Sequence, residues 1–387
     1  MFIIDKPYVS DFLLETIKKN NYNIIDTKNA RDLINDNDLN WIDKQTAISI
    51  IKNNPNTPIY TNSENALIWI ENNHHERDLT NQILLFKDKF RFREFIRDLF
   101  PYFFFETIQL EDIQSMNIDK LPLPFVIKPK IGFFSIGVHI IRNQSDWLEA
   151  KNELQIEKLK SIYPPNVLNT SSFIIEEFIN GEEYAIDYYY NDKGEAVVLN
   201  ILHHKFSSDT DTSDRVYTSS KHIINTFKKS VEDFLSLIGK KMNLRNFPAH
   251  AEIRIDKNGK IVPVEINPLR FGGWCTTGDL LGITLGFNSY ECYHKNEKPN
   301  WDKIFEGKED KLFSLIVLDN NSGFSASEIK TFDYEKLSKD FEKPVLIRKV
   351  DINNYPIFGF VFLETSPQNQ MELENILLSD LRKYIVS

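Results

Sequence analysis

Cysteine is nearly missing from this chain: Cys275 and Cys292 are its only two among 387 residues. Two thiols cannot build a disulfide framework, and no Cys–His cluster with zinc spacing accompanies them. A reducing cytoplasm is therefore the expected setting. Long apolar runs are missing too. None reaches 18 residues, and the opening MFIIDKPYVS has neither the length nor the pattern of a secretory signal. No membrane attachment is expected. Positive charge is in deficit, with 46 Lys and Arg against 56 Asp and Glu and a formal net charge of −10. That balance argues against non-specific nucleic-acid binding, which rests on cationic contacts to phosphates. It leaves room for a local basic pocket. Glycine is scarce, at 14 residues, so the pair Gly272-Gly273 stands out.

Core material is plentiful. Apolar residues make up 41% of the chain, with 29 Phe and 15 Tyr, a globular profile long enough for two or three domains. The first eighty residues read as a small α/β unit, with short strands at Phe2–Ile4 and Tyr22–Ile25 and another ending near Tyr60. A helix is expected from about Ser63, capped by Asn62 or Ser63. LLFKDKFRFREFIRDLF reads as one helix before Pro101. Strands are expected at 125–127, 137–141, 171–176, 184–190 and 195–203, forming one mainly antiparallel sheet under a helix around 145–160. KHIINTFKKSVEDFLSLIGKKM has the apolar spacing of an amphipathic core helix. PVLIRKVDINNYPIFGFVFLET suggests a hairpin, and QMELENILLSDLRKYI a closing helix.

The most informative segment is Ile253 to Gly273, IRIDKNGKIVPVEINPLRFGG. It reads as a β-hairpin reversing at Asn258-Gly259. Antiparallel pairing would bring Glu252, just before it, together with Glu265 and Asn267 at one end of a sheet. Two carboxylates and an amide form a hard oxygen set, better suited to Mg²⁺ carrying phosphates than to zinc. Arg270 follows at once, adding a cation.

FVIKPKIGFFSIGVHII carries a second signal. Lys128 ends a predicted strand, and the loop 130–137 returns the chain into the next. A lysine beside exposed backbone N–H groups can bind phosphate. This is not the GxxxxGK[ST] pattern, because the lysine precedes the loop. Taken alone, a hairpin with a solvent-facing lysine is the plainer account. In FIIEEFINGEEYAIDYYY, Phe178 and Ile179 could supply an apolar slot and linker for adenine. Glu176 would then lie near the adenine amino group and Glu183 at the ribose, although acidic residues at strand ends commonly face solvent.

In order and spacing these motifs resemble the ATP-grasp superfamily over roughly Thr80–Gly273. The resemblance rests on Lys89 in KDKF, Lys128 in FVIKPK, the linker EEFINGEEY, Glu252 in HAEIR, and EINPLRFGG. It implies an α/β and α+β fold: an N-terminal α/β domain over 1–79, an ATP-grasp core over 80–290, and a C-terminal α/β element over 291–387 packed on that core. It further implies that Lys89 and Lys128 hold ATP phosphates, with Ser135 in the covering loop. Glu176 and the Phe178–Ile179 backbone would receive adenine, and Glu183 the ribose. Glu252, Glu265 and Asn267 would bind Mg²⁺, for which Mn²⁺ could substitute. Two departures stand out. The covering loop is GFFSIG rather than one richer in Gly and Ser, and NPLR carries an extra Leu269 where relatives read NPR.

The chemistry implied is an ATP-dependent carboxylate–amine ligase. A small-molecule or peptide carboxylate would attack the γ-phosphate, and an amine would displace phosphate from the resulting acylphosphate. Such chemistry demands placement and charge compensation more than a protein nucleophile. Arg270 and, second to it, Arg215 are the candidates for stabilising the transferring group. His203 and His204 point to opposite sides of a strand and should not share a metal. His250 could orient Glu252 or be a satisfied core histidine. An ATP-grasp kinase and a non-catalytic nucleotide-binding or scaffolding protein are the alternatives. Substrate identity, and the choice between monomer and homodimer, lie beyond the residues.

Overall fold

The computed structural model describes residues 1–73, 77–131, 137–154, 172–208 and 211–386. The chain divides into two compact units. One comprises Met1–Thr80, Glu182–Ser207 and Asp214–Ser387; the other comprises Asn81–Gly181 with Ser208–Ser213.

The larger unit starts with four two-residue parallel strands, β1 (Phe2–Ile3), β2 (Ile24–Ile25), β3 (Trp41–Ile42) and β4 (Tyr60–Thr61), in the order β3-β2-β1-β4. Parallel pairing needs crossovers, supplied here by short helices whose starts are capped by Ser10, Thr27 and Asp43. Asn62 does not cap a helix. Its side chain accepts from the Asp5 N–H and donates to the Asp5 and Tyr8 carbonyls, and the next helix starts only at Leu67.

The smaller unit holds an antiparallel sheet of β5 (Phe105–Gln109), β6 (Phe125–Pro129), β7 (His139–Ile141) and β8 (Ser172–Glu177), in the order β5-β8-β6-β7. Trp147 and Ala150, from the helix Gln144–Glu153, are buried in its core with Phe125, Ile127 and Phe173. The expected single helix over the KDKF region is two. Asp88 accepts from the Phe90 and Arg91 N–H groups, ending Arg77–Lys87 and starting Lys89–Phe95. This cap makes Lys89 the first residue of a helix, and its N–H donates to the Lys130 carbonyl at 3.0 Å.

The larger unit continues with β9 (Glu182–Tyr190), β10 (Ala196–Lys205), β11 (Val216–Ser219), β12 (Phe247–Ile255), β13 (Ile261–Pro268) and β14 (Leu312–Asp319). After a short β15 (Thr331–Phe332) come β16 (Pro344–Lys349) and β17 (Ile357–Thr365), and β15 pairs with the terminal β18 (Ile385–Val386). The eight-stranded sheet runs β13-β12-β9-β10-β11-β14-β17-β16. The single sheet expected from the sequence is thus two, since β8 and β9 belong to different sheets. The hairpin of β16 and β17 joins the large sheet through β14. The C-terminal segment is not one helix but Met371–Leu377, a short 3-10 turn and β18. Among the described residues, no helix is long and apolar enough to cross a membrane.

Candidate active site

The helix Lys221–Met242 covers one face of the large sheet. There the Tyr190 hydroxyl donates to the Leu235 carbonyl at 3.0 Å, and Tyr184 packs on Phe227 with 4.7 Å between ring centroids. Strand alternation then places Glu183, Ala185, Asp187 and Tyr189 on the opposite face. Pairing extends that face sideways. On β12, Arg254 lies opposite Glu183, Glu252 opposite Ala185 and His250 opposite Asp187; on β13, Glu265 lies opposite Glu252 and Asn267 opposite His250.

Glu252, Glu265 and Asn267 therefore meet, and the Asn267 amide donates to Glu265 Oε1 at 3.0 Å. The turn forms where the sequence placed it. The Asp256 carboxylate accepts from the Asn258 and Lys260 N–H groups, and Gly259 takes φ +80°. A register shift beside Glu252 leaves Val264 as an extra residue on edge strand β13, next to Pro263, which could not donate to a regular ladder. Two facing carboxylates and an amide are an oxygen donor set that fits Mg²⁺. Among the described residues, no three His, Cys, Asp or Glu side chains are grouped to hold a metal, so an ion here would need the amide as its third oxygen. Burial pushes the carboxyl of Asp214 up, with His204 and the Tyr217 hydroxyl opposing the shift and Glu183 and Glu265 adding to it.

Glu183 is buried between His204 and Arg254. Its Oε1 lies 3.0 Å from His204 Nδ1, and its Oε2 accepts from Arg254 Nε at 2.9 Å. Burial works against its charge, but His204 and Arg254 outweigh it and hold the carboxyl below the ordinary glutamate range. The expected ribose contact is thus a carboxylate already engaged on both oxygens. His203 faces Glu182 instead, at 2.9 Å, so the two adjacent histidines have separate partners. His250 does not orient Glu252. Its Nδ1 lies 2.7 Å from Asp187 Oδ1, which also accepts from the Gly272 N–H at 3.1 Å.

The two arginine candidates separate. Arg215 is 1% exposed and braces the C-terminal segment: Nε donates to Asp319 at 2.5 Å and Nη1 to the Ser379 carbonyl at 3.0 Å. It is a buried structural cation rather than a group open to a substrate. Arg270 donates to the Phe271 carbonyl at 2.9 Å and lies 4.0 Å from Glu64. The extra Leu269 is buried at φ +57°, and its carbonyl accepts from the Thr61 N–H at 2.7 Å, which ties the motif to β4.

In the smaller unit, Lys128 and Glu176 lie diagonally on one face of β6 and β8, Glu176 opposite Val126 and Lys128 opposite Ile174. Lys128 Nζ lies 2.6 Å from Glu176 Oε1, and Arg93 Nε donates to Glu176 Oε2 at 2.7 Å. Burial would raise the Glu176 carboxyl, yet Arg93 and Lys128 hold it at about 2. Burial also pulls the Lys128 ammonium below the ordinary lysine range, with Glu176 opposing and the charges of Arg93 and Lys89 adding to the shift. Lys89 and Lys128 therefore belong to one cluster. Glu176, expected near adenine, has its carboxylate paired with Lys128 and Arg93 and is 2% exposed. The Phe178 N–H is likewise engaged, with the Pro124 carbonyl at 3.1 Å, while Ile179 is buried. Ser135 and most of GFFSIG lie outside the described residues.

Sequence reasoning missed Arg93, Arg254 and Asp187. Arg93 stands four residues after Lys89 on one helix face, and Asp187 four residues after Glu183 on one strand face, so their periodicity carried a signal. Arg254 had the parity of Glu252.

An ATP-grasp domain family matches residues 121–278. An alanine–anticapsin ligase of Bacillus amyloliquefaciens is 27% identical over 178 residues, covering 43% of this chain and 36% of the relative. A D-alanine–D-alanine ligase A of Bacillus cereus is 36% identical over 78 residues, covering 20% and 22% respectively. The chain thus spans about a third or less of the length of these curated relatives. In structure, an L-amino acid ligase from Bacillus licheniformis superposes with a TM-score of 0.66 at 16% identity, over 99% of this chain and 97% of that one.

Proposed function

We propose that this chain, whose residues 121–278 match an ATP-grasp domain family and whose fold superposes on that of an L-amino acid ligase, is an ATP-dependent carboxylate–amine ligase. The observation that carries this reading is the register of β12 and β13, which sets Glu252 opposite Glu265 with Asn267 bonded to it. Magnesium, when held by these three residues, supplies positive charge to the phosphate oxygens during transfer. Lys89 and Lys128 add positive potential for the triphosphate, with adenine received at the Phe178–Ile179 linker.

The substrates proposed are a small-molecule or peptide carboxylate and an amine. The carboxylate oxygen bonds to the γ-phosphorus as ADP leaves. The amine nitrogen then bonds to the acyl carbon and loses a proton, and the acyl C–O bond breaks as phosphate departs with the bridging oxygen. Arg270, next to the metal motif, is the proposed stabiliser of the negative charge developing on the transferring group. The names of the matched relatives, an alanine–anticapsin ligase and a D-alanine–D-alanine ligase, support this choice over other uses of the fold.

Hydroxylamine trapping tests the intermediate. In the presence of ATP, Mg²⁺ and an acid substrate, an acylphosphate yields a hydroxamate that ferric iron colours. A panel of amino acids and dipeptides that supports ATP consumption without any hydroxamate would reject this mechanism.

A further inference from the structure

The buried cluster in the smaller unit contains a cation that the ligase reading leaves without a task. Arg93, 3% exposed, reaches Glu176 through two nitrogens, Nε to Oε2 at 2.7 Å and Nη2 to Oε1 at 3.3 Å. Lys128 Nζ lies 2.6 Å from that same Oε1. The Arg93 guanidinium also stacks over Phe103, 4.6 Å from the ring centroid, which fixes its plane. Its helix is tied to the end of β6 by the Lys89 N–H to the Lys130 carbonyl.

Charge counting shows what this arrangement does. A lysine and a glutamate alone make a neutral pair, which offers an anion little net attraction. Adding Arg93 gives the triad a net positive charge, and Lys89, close enough to influence Lys128, adds another. The arginine fork spans both carboxylate oxygens and so meets the charge of Glu176 from one side.

We propose that Arg93 is a positioning residue for the nucleotide: by neutralising Glu176 it leaves the charge of Lys128 available to a phosphate. The inference rests on the nucleotide reading given above. It makes Arg93 important for phosphates but not for adenosine, and important only while Glu176 carries its charge.

ADP and adenosine binding by calorimetry, on the full chain, tests this with R93M, R93K and R93M/E176Q, each checked for folding by circular dichroism. In R93M the ratio of ADP to adenosine affinity should fall about tenfold, roughly 1.4 kcal/mol. R93K, which keeps the charge, should hold the ratio within about threefold of wild type. R93M/E176Q should return the ratio to within about threefold of wild type, because removing both charges restores the net charge of the triad and makes Arg93 dispensable; that comparison stands even if R93M alone does not fold. An unchanged ratio in R93M would overturn the proposal. So would a ratio in R93M/E176Q about tenfold below wild type, which would mean that Arg93 meets the phosphate itself. A wild-type chain that takes up no ADP would overturn the nucleotide reading and this inference with it.

Discussion

Replacing Glu176 by glutamine isolates the charge at the centre of the smaller unit. The carboxylate is 2% exposed, and its pKa stands at about 2 against an ordinary 4.5. Through linkage that difference corresponds to about 3 kcal/mol of folding stability at pH 7. The sign follows from the direction of the shift. A depressed carboxyl contributes fully above the unfolded value of 4.5 and loses its contribution as the pH falls toward about 2. Burial of Lys128 works the other way on the ammonium, so the ion cluster as a whole stabilises less than its carboxylate alone. Because glutamine mimics the protonated acid, E176Q should be about 3 kcal/mol less stable than wild type at pH 7 and pH 5. At pH 3 the gap should shrink to about half or less. Urea unfolding at these three pH values, with hydrogen exchange read in β6 and β8, measures the gap where it arises. A gap under about 1 kcal/mol at pH 7, or one equally large at pH 3, would refute the assignment of Glu176 as a buried counterion.

Other substitutions test neighbouring parts. E265Q should keep the fold but lower Mg²⁺-dependent ATP turnover by about a hundredfold or more, since it removes a charge from the metal clamp; near-normal turnover at saturating Mg²⁺ would count against that role. R270K should preserve ADP affinity and reduce kcat, because it keeps charge but loses the fork; lost affinity with normal kcat would move Arg270 to nucleotide binding. R215A should cost about 2 kcal/mol in thermal or chemical unfolding with ADP affinity essentially unchanged, and an affinity loss would return Arg215 to the site. G239A should destabilise by about 2 kcal/mol despite alanine's better helix propensity, because the added Cβ would stand 2.2 Å from the buried Tyr190 ring; a neutral or stabilising result in chemical unfolding would show that the ring can yield.

The large hairpin was the most legible part of the chain. Asn258-Gly259 announces the reversal, and counting back from it pairs Glu252 with Glu265, even though the register shift beside Glu252 carries no obvious sequence mark. The helix Lys221–Met242 was legible end to end because its apolar spacing is regular and Ser220 caps it. Sheet membership was not. Alternation in β8 and β9 says that each is a strand, but partners are chosen by tertiary packing, and the two joined different sheets. The helix break at Asp88 hinged on one side chain accepting two local N–H groups, a competition that propensity alone does not settle. Arg215 illustrates the limit for site residues. Its partners Asp319 and Ser379 lie over a hundred positions away in sequence, and only the folded chain reveals that its charge is taken.

The central claim is that this chain joins a carboxylate to an amine at the expense of ATP, and product stoichiometry tests it most directly. Purified protein with ATP and Mg²⁺ is offered pairs of amino acids and short peptides, and ADP, free phosphate and coupled product are measured together. The account predicts one ADP and one free phosphate for each amide bond formed, with both signals dependent on the acid and the amine. ADP released while the phosphate stays on the product would identify a kinase. ATP bound without turnover across the whole panel would identify a nucleotide-binding protein, and either result would contradict the ligase account.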